Sequence, residues 1–218
     1  SPDATVEKFD LNAGGWNAQP GTPGYAHYRS MRRPVARYAP VPTDLAGARP
    51  ARILDFGCGA GWVGIEAALT APGARLRAFD PSPELARGAT ENARDAGVAD
   101  FEARTGFGED PPFPGTGEEP FDLVLSSGVI SFSPDHARFL DGLRGTVAPG
   151  GTLVIGDLDP TSRGMRLRRR TKPLLFAREL NALPAGEVRA ALEARGFAFV
   201  RGSGYQLTRP IPQLAHLS

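Results

Sequence analysis

The run from Leu54 to Gly64, LDFGCGAGWVG, constrains the fold more than any other segment of the chain. A short apolar stretch, ARILDF, runs into glycines at alternate positions, Gly57, Gly59 and Gly61, and a helical pattern follows with Ile65, Ala68 and Leu69 on one face. Glycine reaches left-handed backbone angles and carries no Cβ, so a strand-to-helix turn of this kind lets a ligand approach the main chain. The run has two parses. From Gly59, GAGWVG is a literal G-x-G-x-x-G, the pyrophosphate loop of dinucleotide-binding folds, whereas from Asp55, DFGCGAG is D-x-G-x-G-x-G. The first parse places the Asp55 carboxylate beside two phosphate charges, where like charges repel; a cationic or amine-bearing ligand suits it better. On the second parse the G-x-G-x-x-G match is accidental, completed by Gly64 falling within the following helix.

The strand-loop-helix unit recurs. ARLRAFD (74–80), VADFEAR (98–104), FDLVLSS (121–127), TLVIGDL (152–158) and FAFVRGSGY (197–205) read as further strands, with helical segments between most of them. Ser82 is placed to cap one helix, with Pro83 at its first position and Gly97 just past its end. Ser133 and Pro134 are placed to do the same for SPDHARFLDGLRGTV. The segment GFGEDPPFPGTGEEP reads as an exposed loop. This alternation predicts one α/β domain, a doubly wound, mostly parallel Rossmann-like sheet of six strands, or seven if the proline-bearing tail adds an edge strand. Residues 1–45 read as an N-terminal helical lid, with a short helix interrupted near Pro34, and residues 46–218 as the ligand-binding domain with a basic insertion at about 160–182.

Composition narrows the function classes. Lys and Arg number 25 against 24 Asp and Glu, so no overall field draws in nucleic acid or an anionic membrane. No apolar run approaches the ~20 residues that cross a bilayer. The single cysteine, Cys58, rules out an intrachain disulfide and a Cys-rich zinc site, and it fits a reducing, cytoplasmic setting. Asp80 ends the second strand, where a carboxylate can accept hydrogen bonds from both hydroxyls of a ribose laid over the glycine loop.

LDFGCGAGW, AFDPSPEL, FDLVLSSGVISF and LRGTVAPGGTLVIGD, in this order, resemble the successive motifs of class I S-adenosylmethionine-dependent methyltransferases, in the small-molecule, methyltransferase type 11-like branch. The leader's KFDLNAGGW is similar to that branch's F/Y-D-x-x-A-x-x-Y/W opening. The resemblance spans roughly residues 50–160. It implies S-adenosyl-L-methionine as cofactor, with Gly57, Gly59 and Gly61 against its methionine moiety and Asp55 supporting the ammonium end. It further implies that Asp80 and the adjoining Pro81 meet the ribose, that Phe107 and Gly108 border the adenine, and that Ser126 lies beside the sulfonium.

Two departures stand out. Relatives carry an Asp where this chain has Phe107; the aromatic is expected either to stack on adenine, with Glu109 or a carbonyl taking the amine, or to be a core side chain. Relatives also often carry a His after the fourth strand, and here Ser131 and Phe132 follow instead.

Methyl transfer is an in-line displacement in which positioning can supply ~7–11 kcal/mol, and a base is required only for a protonated acceptor. His27 and then His136 are the candidate bases, each weighed against an ordinary surface histidine. Trp16, Tyr25 and Tyr28 are candidates for the wall of the substrate site, or for stapling the leader to the domain. The run Arg163, Arg166, Arg168, Arg169, Arg170 and Lys172 is either a solvated face or a cap that meets an anionic acceptor, with Arg168 as its representative. No metal site is expected, since Ser126 and Ser127 end the fourth strand where metal-using relatives place an Asp. The reading is therefore methyl transfer to oxygen or nitrogen of a small, anionic acceptor, in specialised metabolism. The alternatives are a non-methylating cofactor-binding protein, a cyclase or sensor, and an RNA methyltransferase, against which the neutral charge balance counts.

Overall fold

The computed structural model describes residues 2–11, 13–16, 32–45, 48–163, 165–166 and 181–204. Its centre is a parallel sheet of five strands in the order β3-β2-β1-β4-β5. The strands are β1 (Arg52–Phe56), β2 (Arg75–Asp80), β3 (Phe101–Thr105), β4 (Phe121–Ser127) and β5 (Val147–Gly156). The chain winds outward from β1 through β2 to β3, then crosses to the other side of β1 for β4 and β5. The strand order therefore reverses between β1 and β4, and the crevice outside their carboxyl ends is where open α/β sheets bind ligands.

Helices α1 (Pro2–Leu11), α2 (Ala13–Trp16) and α3 (Arg33–Ala36) precede the sheet; α4 (Trp62–Ala68), α5 (Pro83–Asp95), α6 (His136–Thr146) and α7 (Ala185–Glu193) follow or connect its strands. Alternation along the central strands feeds two cores. Ile53, Leu123 and Leu125 pack with Val35, Val63, Ile65 and Ala93 on one face. Leu54, Phe56 and Val124 pack with Phe139, Leu140 and Leu143 on the other, where Val188, Ala191 and Leu192 of α7 also rest. All seven residues of β4 are buried, as a strand covered on both faces requires.

Local chemistry sets the helix ends. Ser82 Oγ accepts the Leu85 N–H, Pro83 is the first residue of α5, and Gly97 beyond its end has φ +81°. For α6 the start differs from expectation: Asp135, rather than Ser133, caps it by accepting the Arg138 N–H at 3.0 Å. Ser133 closes the preceding 3₁₀ turn, Ile130–Phe132, and its hydroxyl is shared between Glu109 and the Asp135 N–H, so the helix starts beyond it.

Two other expectations are corrected. Among the described residues the sheet has five strands, not six or seven: residues 197–204 form no strand. Their apolar side chains do not alternate into a core, since Phe199 is 48% and Val200 87% exposed, and Gly202 and Gly204 weaken any pairing. Phe199 instead stacks under the Arg189 guanidinium, 4.0 Å away. The proline-rich loop after β3 is not wholly exposed either. Phe113 is fully buried, with its ring under the Arg104 guanidinium at 4.0 Å and edge-on to Phe121.

Gly64 has a packing reason of its own. A Cβ there would lie 2.8 Å from both Asp55 Cβ and Leu76 Cδ1, so only glycine lets α4 press this closely on β1 and β2. Gly64→Ala is expected to destabilise the fold by ~1–3 kcal/mol through overpacking. Urea denaturation checks it, and an unchanged midpoint would show that α4 can move aside.

Candidate functional site

The strand reversal, the glycine loop and the leader meet at the carboxyl edge of the sheet. Gly57, Gly59 and Gly61 all have positive φ, but for different reasons. A Cβ on Gly57 would come 2.6 Å from the Val129 side chain, and one on Gly61 would come 2.9 Å from Ala89. At Gly59 a Cβ would meet no atom of the described residues within 4 Å, so the loop is open there. The loop is held at its base by the Cys58 N–H on Phe79 O at 2.8 Å and at its crown by Asn92 Nδ2 on Ala60 O at 2.9 Å.

Asp55 and Asp80 flank the loop, and both already serve the backbone. Asp55 Oδ2 accepts the Gly64 N–H at 2.8 Å, satisfying a donor of the first turn of α4, whose own N-cap, Gly61, offers no side chain. Burial pushes the Asp55 carboxyl up to about 7; the Gly64 N–H opposes the rise, nearby Asp80 adds to it, and Arg32 counters it. Asp80 accepts the Gly59 N–H on Oδ2 at 2.8 Å and the Ser82 N–H on Oδ1 at 3.0 Å. Burial pushes it to about 6 against these two bonds, with Asp10 adding to the rise. Asp10 comes from α1 and takes a short hydrogen bond from Ser82 Oγ, while Phe9 of the same helix meets Phe132 edge-on at 5.3 Å. Helix α1 thus reaches from the end of β2 to the turn after β4, over the glycine loop.

Ser126, 1% exposed, is the penultimate residue of β4, and its Oγ has no hydrogen-bond partner among the described residues. Beyond it, Arg32 donates a short hydrogen bond from Nη1 to Ser127 O. Asp157, following β5, accepts the Leu158 N–H at 2.7 Å and the Ser131 N–H at 3.4 Å. Burial raises the Asp157 carboxyl, with those bonds and Arg32 opposing.

Of the expected site residues, Asp55, Gly57, Gly59, Gly61, Asp80, Pro81 and Ser126 gather at this edge. Phe107 is 41% exposed and is not a core side chain. Gly108 is buried, and a Cβ on it would come 2.6 Å from Phe139 Cδ2, so core packing demands this glycine. His136 bonds through Nε2 to Asn181 O at 2.6 Å; a carbonyl only accepts, so that nitrogen carries the proton and ties down the segment entering α7. Trp16 ends α2, with its side chain outside the described part, and His27, Tyr25, Tyr28 and Arg168 lie outside the described residues. Among the described residues no three His, Cys, Asp or Glu side chains converge as a metal site, and no helix is long and apolar enough to cross a membrane.

Sequence reasoning did not single out Arg32 or Asn92. Asn92 left a signal: a polar residue in the buried stripe of α5, in helical register with Leu85 and Ala89.

Comparison with known proteins fits this geometry. The family described as a methyltransferase domain matches residues 25–201. The trans-aconitate 2-methyltransferase of Streptomyces coelicolor is 35% identical over 61% of this chain and 42% of its own length. That of Methylobacterium nodulans is 32% identical over 72% of this chain and 58% of its own. The chain therefore spans about half the length of these curated relatives. Magnesium protoporphyrin IX methyltransferase from Synechocystis, solved with bound SAH, shares the fold with a TM-score of 0.68 at 15% identity, over 92% of this chain and 91% of that one. The cyclase SpnF shares it equally, with a TM-score of 0.68 at 17% identity over 90% and 72%.

Proposed function

Because the chain belongs to the methyltransferase-domain family, which it matches over residues 25–201, we propose that it moves a methyl group from S-adenosylmethionine to a small carboxylate-bearing acceptor. The observation that carries the cofactor half is the cradle itself. Among the described residues, space is open above Gly59 and the buried Ser126 hydroxyl lacks a partner, and two carboxylates flank a loop that offers no lysine or arginine to a pyrophosphate. The acceptor class is supported by the relatives, which are named for trans-aconitate, a small polyanion.

The bound cofactor supplies an electrophilic methyl on a sulfonium. Asp80, fixed by Gly59 and Ser82, retains lone pairs for the ribose hydroxyls, and Asp55 places negative charge near the ammonium end. Helix α1, held through Asp10 and Phe9, acts as a lid that excludes water from the cleft. A carboxylate acceptor arrives already ionised and requires no general base, which agrees with His136 being engaged with Asn181.

Calorimetry with S-adenosylmethionine and S-adenosylhomocysteine, followed by transfer of labelled methyl to trans-aconitate and to simpler carboxylates, tests the proposal. Micromolar binding of both and labelled ester formation are expected. Absence of binding overturns it, and binding without transfer to any acceptor favours a non-methylating use of the same cleft.

A further inference from the structure

Resting on the reading of α1 as a lid, we infer that Asp10 is a pH-sensitive latch whose hold on the amino end of α5 loosens as the neighbouring Asp80 loses its proton. One residue joins the two carboxylates. Ser82 donates its hydroxyl to Asp10 of α1 and its backbone N–H to Asp80 Oδ1 at 3.0 Å, while its Oγ accepts the Leu85 N–H at 3.1 Å as the cap of α5. A hydroxyl has a single hydrogen, and Ser82 is 1% exposed, so Asp10 is the partner that satisfies it when α1 is docked. Phe9, the preceding residue, meets Phe132 edge-on at 5.3 Å and sets the helix down across the loop. Docking therefore holds Asp10 close to Asp80, at the end of β2.

Like charges so placed repel. Burial and the Asp10 charge both raise the Asp80 carboxyl, to about 6, against its bonds from Ser82 and Gly59. Lifting α1 takes Asp10 away, so one cause of the rise is lost and the open form holds the Asp80 proton less tightly. A carboxyl whose value is higher in the docked form favours docking at low pH, and that advantage is lost as pH rises through about 6. The charged groups on the elements packed around the latch leave this repulsion in place. Asp55, from β1, adds negative charge near Asp80. In the first turns of α5, Glu84 and Arg87 pair with each other at 2.7 Å, and Arg87 also holds Glu91 at 2.7 Å. Glu7, one turn before Asp10 on α1, is exposed and of like charge. The 3₁₀ turn Ile130–Phe132 and helix α2 bring no titratable side chain. The dipole at the amino end of α5 favours both carboxylates, so ionisation weakens the latch without breaking it. The lid is therefore held more tightly at pH 5 than at pH 8.

The test is millisecond hydrogen exchange of the ligand-free protein, read by mass spectrometry on the peptide that covers α1. Rates are corrected for chemical exchange at each pH and normalised to β4. Protection of α1 is expected to fall roughly three- to fivefold between pH 5 and pH 8, the scale of one partly screened charge pair, with its midpoint near 6. Asp10→Asn keeps an oxygen for the Ser82 hydroxyl but carries no charge, so its α1 should be as protected at pH 8 as wild type is at pH 5. Asp10→Ala, which removes the acceptor as well, should leave α1 less protected than wild type at both pH values. Wild-type protection that is flat or rises with pH overturns the inference. So does an Asp10→Asn protein that keeps the wild-type pH dependence, and so does an α1 that exchanges like a free peptide at pH 5. The readout requires no ligand, so its failure is separate from failure of the cofactor reading. If saturating S-adenosylhomocysteine leaves α1 protection unchanged while the pH dependence holds, the lid reading falls and the latch stands.

Discussion

Asp80→Ala is expected to weaken S-adenosylmethionine binding at least 100-fold. The carboxylate does two jobs that no neighbour can take over. It holds Gly59 and Ser82 by backbone N–H bonds of 2.8 and 3.0 Å, and its remaining lone pairs are the natural acceptors for a ribose diol. Alanine leaves those two N–H groups unsatisfied at a position only 8% exposed, at ~1–3 kcal/mol each in folding stability. It also removes hydrogen bonds from a charged acceptor to the ligand, worth ~1.5–3 kcal/mol apiece, and two of them exceed the ~2.7 kcal/mol that separates a 100-fold change in affinity. Asp80→Asn keeps one acceptor oxygen and should lie between wild type and alanine. Burial holds the wild-type carboxyl at about 6, so affinity should also fall as the pH drops below 6 and the acceptor becomes protonated. Calorimetry on all three proteins between pH 5 and 8 measures this. If Asp80→Ala binds as tightly as wild type, Asp80 is a turn-former and the ribose lies elsewhere.

The features legible in the sequence are those set within a few residues. Ser82, Pro83 and Gly97 mark α5 because a cap, a fixed φ and a left-handed glycine act locally. β4 spans residues 121–127 as expected, because a strand covered on both faces is a plain apolar run. Expectations failed where a distant element competes for the same atoms. Ser133 is a sound cap by its own chemistry, but Glu109, from the loop after β3, shares its hydroxyl and Asp135 becomes the cap. FAFVRGSGY has strand composition, yet its start is taken up by α7, where Phe197 packs with the second core and Phe199 lies under Arg189. The site followed the same division. Asp55, Asp80 and the glycines were visible because strand ends carry them to the sheet edge. Arg32 was not, because its placement at this edge depends on Ser127, 95 residues away, and on a glycine at 128 that local patterning does not distinguish from any turn. The packing role of Gly64 was hidden as well, because it depends on how closely α4 approaches Asp55 on β1 and Leu76 on β2.

Asp55→Asn is expected to make the ligand-free protein more stable at pH 8 and to weaken the cofactor. In the unfolded chain this carboxyl loses its proton near its ordinary value of 3.8, whereas in the fold, fully buried, it keeps the proton up to about 7. A raised folded value means that the folded state is favoured below pH 4, and that this advantage is lost progressively as pH rises from about 4 to about 7. Three units at ~1.4 kcal/mol each set an upper bound of ~4 kcal/mol on the penalty at pH 8. Asparagine carries no charge to desolvate, and its Oδ1 can still accept the Gly64 N–H, so the cap of α4 survives. The N-terminal dipole of α4 favours a carboxylate by ~0.3–1 kcal/mol, which offsets part of the gain. A net stabilisation of ~2–3 kcal/mol at pH 8, with little difference at pH 4, is therefore expected from urea denaturation. The same substitution removes the negative charge opposite the cofactor's ammonium and should weaken S-adenosylmethionine about tenfold, in line with ~1–1.5 kcal/mol for one partly screened charge pair. A variant less stable than wild type at pH 8 would mean that the ionised Asp55 is worth more as the cap of α4 than its burial costs. A variant that is more stable and binds less tightly means that the carboxylate is held in an unfavourable environment which a cationic ligand relieves, and the fold then gains on binding what it lacks when empty.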